Sequence, residues 1–217
     1  MISQDVLRSG GGSQRVFLRK LGEESGLGRR IWHDLSLYHQ SVLALERRQF
    51  QAGHYKRILA VSEEVKREPL DVYAVPEDKV TVIYNGVDEK RFHLSLRDKC
   101  RELIRKQWHI PLDAPTVLFV GSGFRRKGLD RLLKAWSSPQ MKDTYLVVVG
   151  EDAQRGRYQA LAEDRTHGKV VFVGRRDDVE SYYGAADLLA LPAVQEAFGN
   201  VVLEALAAGL PVLVSRT

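Results

Sequence analysis

The sequence predicts an α/β fold organised on a doubly wound parallel sheet. The first observation is alternation. From Pro111 onward the apolar runs Thr116–Val120, Tyr145–Val149, Val170–Val173, Asp187–Leu191 and Pro211–Val214 are separated by helical stretches near Leu129–Trp136, Tyr158–Glu163, Val179–Gly184 and Val201–Ala208. The second is that these strands are apolar on both sides, as a sheet covered by helices on both faces requires. The third is that loops with glycine follow Val120, Val149, Val173 and Leu191. Ligands of such sheets sit beyond the carboxyl ends of the strands, so these four loops are where a site belongs.

Composition bounds the function classes. The 217 residues suffice for one large or two small domains, and 44% hydrophobic with 28% charged residues is ordinary for a globular protein, which excludes a disordered chain. The net charge of +5 suits anionic partners such as nucleotide phosphates, nucleic acid or anionic lipid, and equally a merely solvated basic surface. Cys100 is the only cysteine, which excludes an intrachain disulfide and a cysteine metal cluster. No apolar run reaches transmembrane length and the start lacks a signal-peptide core, so a cytoplasmic location is expected.

In chain order, Ser9-Gly10-Gly11-Gly12-Ser13 comes first, with no pattern before it long enough to be a domain. It lacks the Gly-Lys-Ser/Thr of a P-loop, and reads as a plain turn or as a turn that positions a ligand. The pattern then turns helical, and Ile31, Leu35, Tyr38, Val42 and Leu45 lie on one face of a long helix. Arg29, Arg30, Arg47, Arg48, Lys56 and Arg57, interleaved with Trp32, Tyr38 and Tyr55, flank that face. The segment 14–57 therefore reads either as an amphipathic helix packed on a sheet or as one whose basic rim meets an anionic membrane surface. His33 and His39 are too far apart for a one-turn metal site. Ile58–Val61 is a short strand run, Ser62 caps the next helix with Glu63 and Glu64 in its first turn, and Val80–Tyr84 is another strand. Asn85-Gly86-Val87-Asp88 breaks it and leads to a helix around Leu96–Trp108.

The four loops carry the chemistry. After Val120 comes Gly121-Ser122-Gly123-Phe124-Arg125-Arg126-Lys127-Gly128, in which two glycines allow close backbone approach and Arg126 and Lys127 can neutralise a diphosphate. The Gly-x-Gly-x-x-Gly fingerprint is absent. Gly150-Glu151-Asp152 follows Val149, and Gly174-Arg175-Arg176-Asp177-Asp178-Val179 follows Val173. After Leu191 comes the most informative stretch, Pro192 to Pro211. Here a loop with Glu196, Phe198 and Gly199 leads to Asn200 as N-cap of a helix closed by Gly209, the geometry that binds phosphate.

Arg126-Lys127-Gly128, Gly174 to Val179, and Glu196-x7-Glu204 with Gly209-Leu210-Pro211 resemble the retaining glycosyltransferases of the GT-B fold, glycosyltransferase family 4. The wording around Ser122–Asp130 and Pro192–Glu204 is most similar to the lipopolysaccharide core glucosyltransferases. The resemblance covers about 58–217. It implies a GT-B architecture with a Rossmann-like donor domain over 94–217, truncated at its C-terminus, after a partial acceptor-side domain and interdomain crossing over 1–93. It also implies transfer of a hexose, glucose by the subfamily wording, from a nucleotide-diphosphate sugar such as UDP-glucose to a glycan or lipopolysaccharide-core acceptor, with no metal cofactor and no nucleic acid. The basic 14–57 region would then meet the inner face of the cytoplasmic membrane.

For individual positions the resemblance implies catalytic roles for Glu196, Lys127 and Arg126. Arg126 and Lys127, with the Gly121, Ser122 and Gly123 backbone, would hold the diphosphate. Glu196 would bind the hydroxyls of the transferred sugar, and backbone N–H groups of Ala197, Phe198, Gly199, Asn200 and Val201 would meet sugar and phosphate. Glu204 would accept from the ribose hydroxyls and Val179 would meet the base. Two departures stand out. Ser122 occupies a position where the family often has arginine. The chain also begins partway through the acceptor domain, without counterparts of its first strands and their glycine-rich loop, and stops before the last donor-domain elements. An alternative is therefore a truncated, non-catalytic nucleotide-binding relative. A glycoside hydrolase using Glu196 and Glu204 is discounted, since both lie in one loop–helix unit rather than across a cleft.

Overall fold

The computed structural model describes residues 4–25 and 36–216, without the side chains of 23–25. It divides into two compact units: 1–85 with Gln195–Phe198, and 86–194 with 199–217. The two sheets, one in each unit, are parallel throughout, the α/β architecture expected.

In the second unit, strands β4 (Thr116–Val120), β5 (Tyr145–Val149), β6 (Lys169–Gly174), β7 (Leu188–Leu191) and β8 (Val212–Val214) lie in the order β6-β5-β4-β7-β8. The strand order reverses between β4 and β7, and a ligand crevice of such a sheet opens at that switch point. The pleat explains the double apolar pattern. Leu118, Val120, Val147, Val149 and Leu189 face one core with helices α4 (Leu96–Gln107), α7 (Val179–Ala185) and α8 (Asn200–Ala207). The alternate residues Phe119, Leu146, Val148 and Ala190 face a second core with α5 (Leu129–Trp136) and α6 (Arg155–Arg165). β8 is an edge, with Leu213 and Val214 exposed.

At the amino ends of β4 and β7, α4 is tied to the sheet by a cation ladder. Arg97, Arg101 and Arg105 reach the Asp187 carboxylate at 3.2, 2.8 and 2.8 Å. Arg105 is fully buried and also donates to the carbonyls of Ala185, Pro111, Leu112 and Ala114, and Asp187 accepts the Thr116 N–H. Burial pushes the Asp187 carboxyl up, but the arginines and that N–H more than offset it and hold it below its ordinary value. Asp187 thus precedes β7 as a clamp and is not its first residue.

The first unit holds β1 (Gln4–Ser9), β2 (Tyr55–Ala60) and β3 (Val80–Val82), in that order, with α1 (Gln14–Ser25), α2 (Leu37–Gln49) and α3 (Glu63–Tyr73). Ser62 caps α3 through Val65 N–H, as expected. Two expectations change. Gln4–Ser9 forms a strand, paired in parallel with β2, although within it only Leu7 is buried. The helical pattern from Gln14 resolves into α1 and α2 rather than one helix; Arg29, Arg30, Ile31, Trp32, His33 and Leu35 lie outside the described residues. On α2, Leu37, Tyr38 and Leu45 are exposed. No helix among the described residues is long and apolar enough to cross a membrane.

Candidate functional site

The loops after β4, β5 and β6, with the Pro192–Val194 start of the loop after β7, form a continuous rim along the carboxyl ends of the second unit's strands. Gly150 N–H donates to Gly174 O at 2.9 Å and Gly121 N–H to Val149 O at 2.9 Å. The loops after β4 and β5 touch so closely that a Cβ on Gly150 would lie 2.1 Å from Gly121 O. The loops after β4 and β7 touch at Gly128, whose φ is +80° and whose Cβ would lie 1.9 Å from Pro192 O. Only glycine fits either place. Val194 N–H donates to Arg126 O at 2.9 Å, and Arg131 donates to the carbonyls of Pro192 and Ala193. Asp152 joins the rim by accepting Phe124 N–H at 2.8 Å, a link the sequence reading did not anticipate.

The expected donor residues fall as follows. Arg126 and Lys127 are half-buried in the loop that crosses the switch point, and the Lys127 stem lies over Gly121, its Cγ 3.3 Å from where a Cβ would stand. Ser122 and Gly123 are exposed at the loop tip. Val179 opens α7, and next to it Arg176 pairs with Asp178 at 2.9 Å, which holds the Asp178 carboxyl below its ordinary value. Gly199, in the left-handed conformation at φ +81°, is the N-cap of α8; Asn200 is the first helical residue and Val201 the second. Asn200 is therefore not the cap. The chain enters the helix by a turn that favours a residue without a side chain.

Glu204 lies on α8, one turn beyond Asn200, and accepts the Tyr183 hydroxyl at 2.6 Å. Arg91 donates to Glu180 Oε2 at 2.8 Å and to the Asp177 carbonyl at 2.6 Å, at the entrance of α7. Neither Tyr183 nor Arg91 was among the expected site residues. The tyrosine reads as core of a short helix, and the arginine stands far from Glu180 in sequence.

Glu196, Ala197 and Phe198 belong to the first unit, so the structure groups them apart from Arg126, Lys127 and Glu204. Their segment is held at three points. Gln195 Nε2 donates to Glu68 Oε1 at 3.1 Å, Ser62 Oγ to Ala197 O at 2.7 Å, and the Phe198 ring lies 6.1 Å from Tyr84. Glu68 is buried, and its Oε2 accepts Ser13 N–H at 2.5 Å. Among the described residues no group of three His, Cys, Asp or Glu is placed to hold a metal ion.

A doubly wound sheet with a cationic glycine loop and a glycine-capped helix start at its switch point defines the class: an α/β protein of GT-B type in its two parallel sheets. Residues 100–217 match the family described as Glycosyl transferases group 1, and residues 24–91 match Glycosyltransferase Family 4. The chain belongs to the Glycosyl transferases group 1 family.

It is 33% identical over 201 residues to the lipopolysaccharide glucosyltransferase WaaG of Escherichia coli K12, covering 91% of this chain and 52% of that protein. A solved structure of WaaG, a glycosyltransferase involved in lipopolysaccharide biosynthesis, superposes with a TM-score of 0.80 at 32% identity, over 97% of this chain and 56% of that one. Anabaena Alr3699/HepE in complex with UDP-glucose shares the fold, with a TM-score of 0.70 at 22% identity over 84% of this chain and 51% of that one. The chain spans about half the length of the curated relatives it matches.

Proposed function

We propose that this chain carries the donor-binding side of a retaining glycosyltransferase that moves a hexose, glucose in our reading, from a UDP-sugar to a glycan or lipopolysaccharide-core acceptor. One observation carries the reading. The loop with Arg126 and Lys127 and the glycine-capped start of α8 follow the two strands, β4 and β7, between which the sheet order reverses. In a glycosyl transfer the bond from the anomeric carbon to the diphosphate breaks and negative charge develops on the departing nucleoside diphosphate. Fixed cations and helix N–H groups stabilise that charge, so the reading needs no metal ion. Arg126 and Lys127 take the diphosphate, with the Gly121–Gly123 and Gly199–Val201 backbone of the same unit beside it. Glu204 takes the ribose hydroxyls, Val179 the base through its backbone, and Glu196 the hydroxyls of the transferred sugar.

Calorimetry with UDP and UDP-glucose tests this, followed by transfer onto a lipopolysaccharide-core acceptor. Binding of both is expected, and Lys127→Ala should weaken UDP by roughly 1.5–3 kcal/mol, the range for hydrogen bonds to charged groups. Binding without transfer would assign donor binding alone to this span. Absence of both would sink the nucleotide-site reading.

The exposed Leu37, Tyr38 and Leu45 with Arg47 and Arg48 on α2 support a peripheral site at an anionic membrane face, the cytoplasmic one in our reading. Co-sedimentation with anionic vesicles should fall as salt rises; salt-insensitive or absent binding would count against it.

A further inference from the structure

Tyr183 is 1% exposed, and its ring meets Phe92 edge-on at 5.5 Å. Its helix cannot turn, because α7 lies so close to α4 that a Cβ on Gly184 would stand 2.3 Å from Leu96 O. A phenylalanine would fill the same apolar space. What the hydroxyl adds is a 2.6 Å hydrogen bond to Oε2 of Glu204, a half-buried carboxylate. Burial first, and then the Glu204 charge, raise the phenol above its ordinary pKa, so it remains a donor at neutral pH. Arg91 acts on the same carboxylate electrostatically while it is pinned to Glu180 and the Asp177 carbonyl.

We propose that Tyr183 is a positioning residue for the ribose of the nucleoside diphosphate: by holding Oε2 of Glu204 from the buried side, it fixes the carboxylate plane and presents Oε1 to the 2′,3′-diol. The inference rests on the reading of Glu204 as the ribose ligand. A glutamate has three side-chain torsions, and ordering them on binding costs affinity. A hydrogen bond from a residue locked in the core removes that cost before the ligand arrives.

The test compares UDP with 2′,3′-dideoxy-UDP by calorimetry on the full chain, for the unmodified protein, Tyr183→Phe and Glu204→Gln. The unmodified protein should prefer UDP. Tyr183→Phe should weaken UDP about five- to tenfold and leave dideoxy-UDP unchanged, so the preference narrows. Should the phenylalanine variant not fold, Tyr183→Met, a flexible filler of the same space, carries the same expectation. Equal weakening of both ligands would mean that Tyr183 only supports the fold, and would overturn the inference. So would a full preference in Tyr183→Phe when Glu204→Gln has lost it, an outcome that leaves the ribose reading standing. No preference in the unmodified protein would remove the ribose contact itself, and the inference with it.

Discussion

In each unit a parallel strand runs into a glycine-bearing loop and then a helix: β1, Gly10-Gly11-Gly12 and α1 in the first, β4, Gly121 to Gly128 and α5 in the second. The first has its anion built in. At the start of α1, Ser13 N–H donates to Glu68 at 2.5 Å, Gln14 N–H and Arg15 N–H to Glu46 at 2.9 and 3.2 Å, and Val16 N–H to Ser13 Oγ at 3.4 Å. An incoming phosphate would have to displace a buried carboxylate. The second unit places Arg125, Arg126 and Lys127 within the loop itself, and starts α8, after the neighbouring strand, at a glycine that has no side chain to cap with. A strand, glycine and helix pattern thus marks a place where negative charge is favourable. In the first unit the protein itself supplies that charge, from Glu46 and Glu68, residues far away in sequence.

The glycines themselves give the largest expected effect. Gly128→Ala would put a methyl group against the Pro192 carbonyl in a left-handed conformation, and no flexible side chain is there to yield. Backbone strain and overpacking together make the cost roughly 3 kcal/mol or more. Gly11, by contrast, has open space around it and no positive φ, so Gly11→Ala should stay within about 0.5 kcal/mol. Urea unfolding of both variants measures the difference. Equal midpoints would show that the two loops do not differ in packing as described.

The same contrast explains what could be read from the sequence. The second sheet was legible because its central strands β4 and β5 are buried on both faces and lead directly into glycine: β4, β5 and α5 occupy the spans their apolar runs predicted. β1 was not, because Gln4-Asp5-Val6-Leu7-Arg8-Ser9 buries one side chain and resembles a polar terminus. Asn200 looked like a cap by residue type, but the turn geometry favoured Gly199. The cationic loop of the candidate site was readable because its charges are contiguous. The supporting groups were not: Tyr183 and Glu204, Glu68 and Gln195, and Arg105 and Asp187 are pairs made by folding, separated by 21, 127 and 82 residues. The spacing of Arg97, Arg101 and Arg105 by four was an available signal, since it sets three cations on one face of α4.

The smallest effect tests the built-in anion by pH. Burial is the main cause that raises the Glu68 carboxyl above its ordinary value; the hydrogen bonds from Ser13 and Gln195 pull the other way without cancelling it. The sign follows from linkage. Between its value in the unfolded chain and its raised value in the folded one, the folded state holds more protons. The Glu68 contribution to stability is therefore fully present below the ordinary carboxylate range and is lost as pH rises through the raised value. Glu68→Gln keeps the shape and removes the titration. The stability advantage of the unmodified chain over this variant should shrink as urea midpoints are taken from about pH 4 to pH 7. An advantage that grows with pH would mean that the ionised carboxylate is the favoured form. Hydrogen bonding, rather than burial, would then dominate at the start of α1.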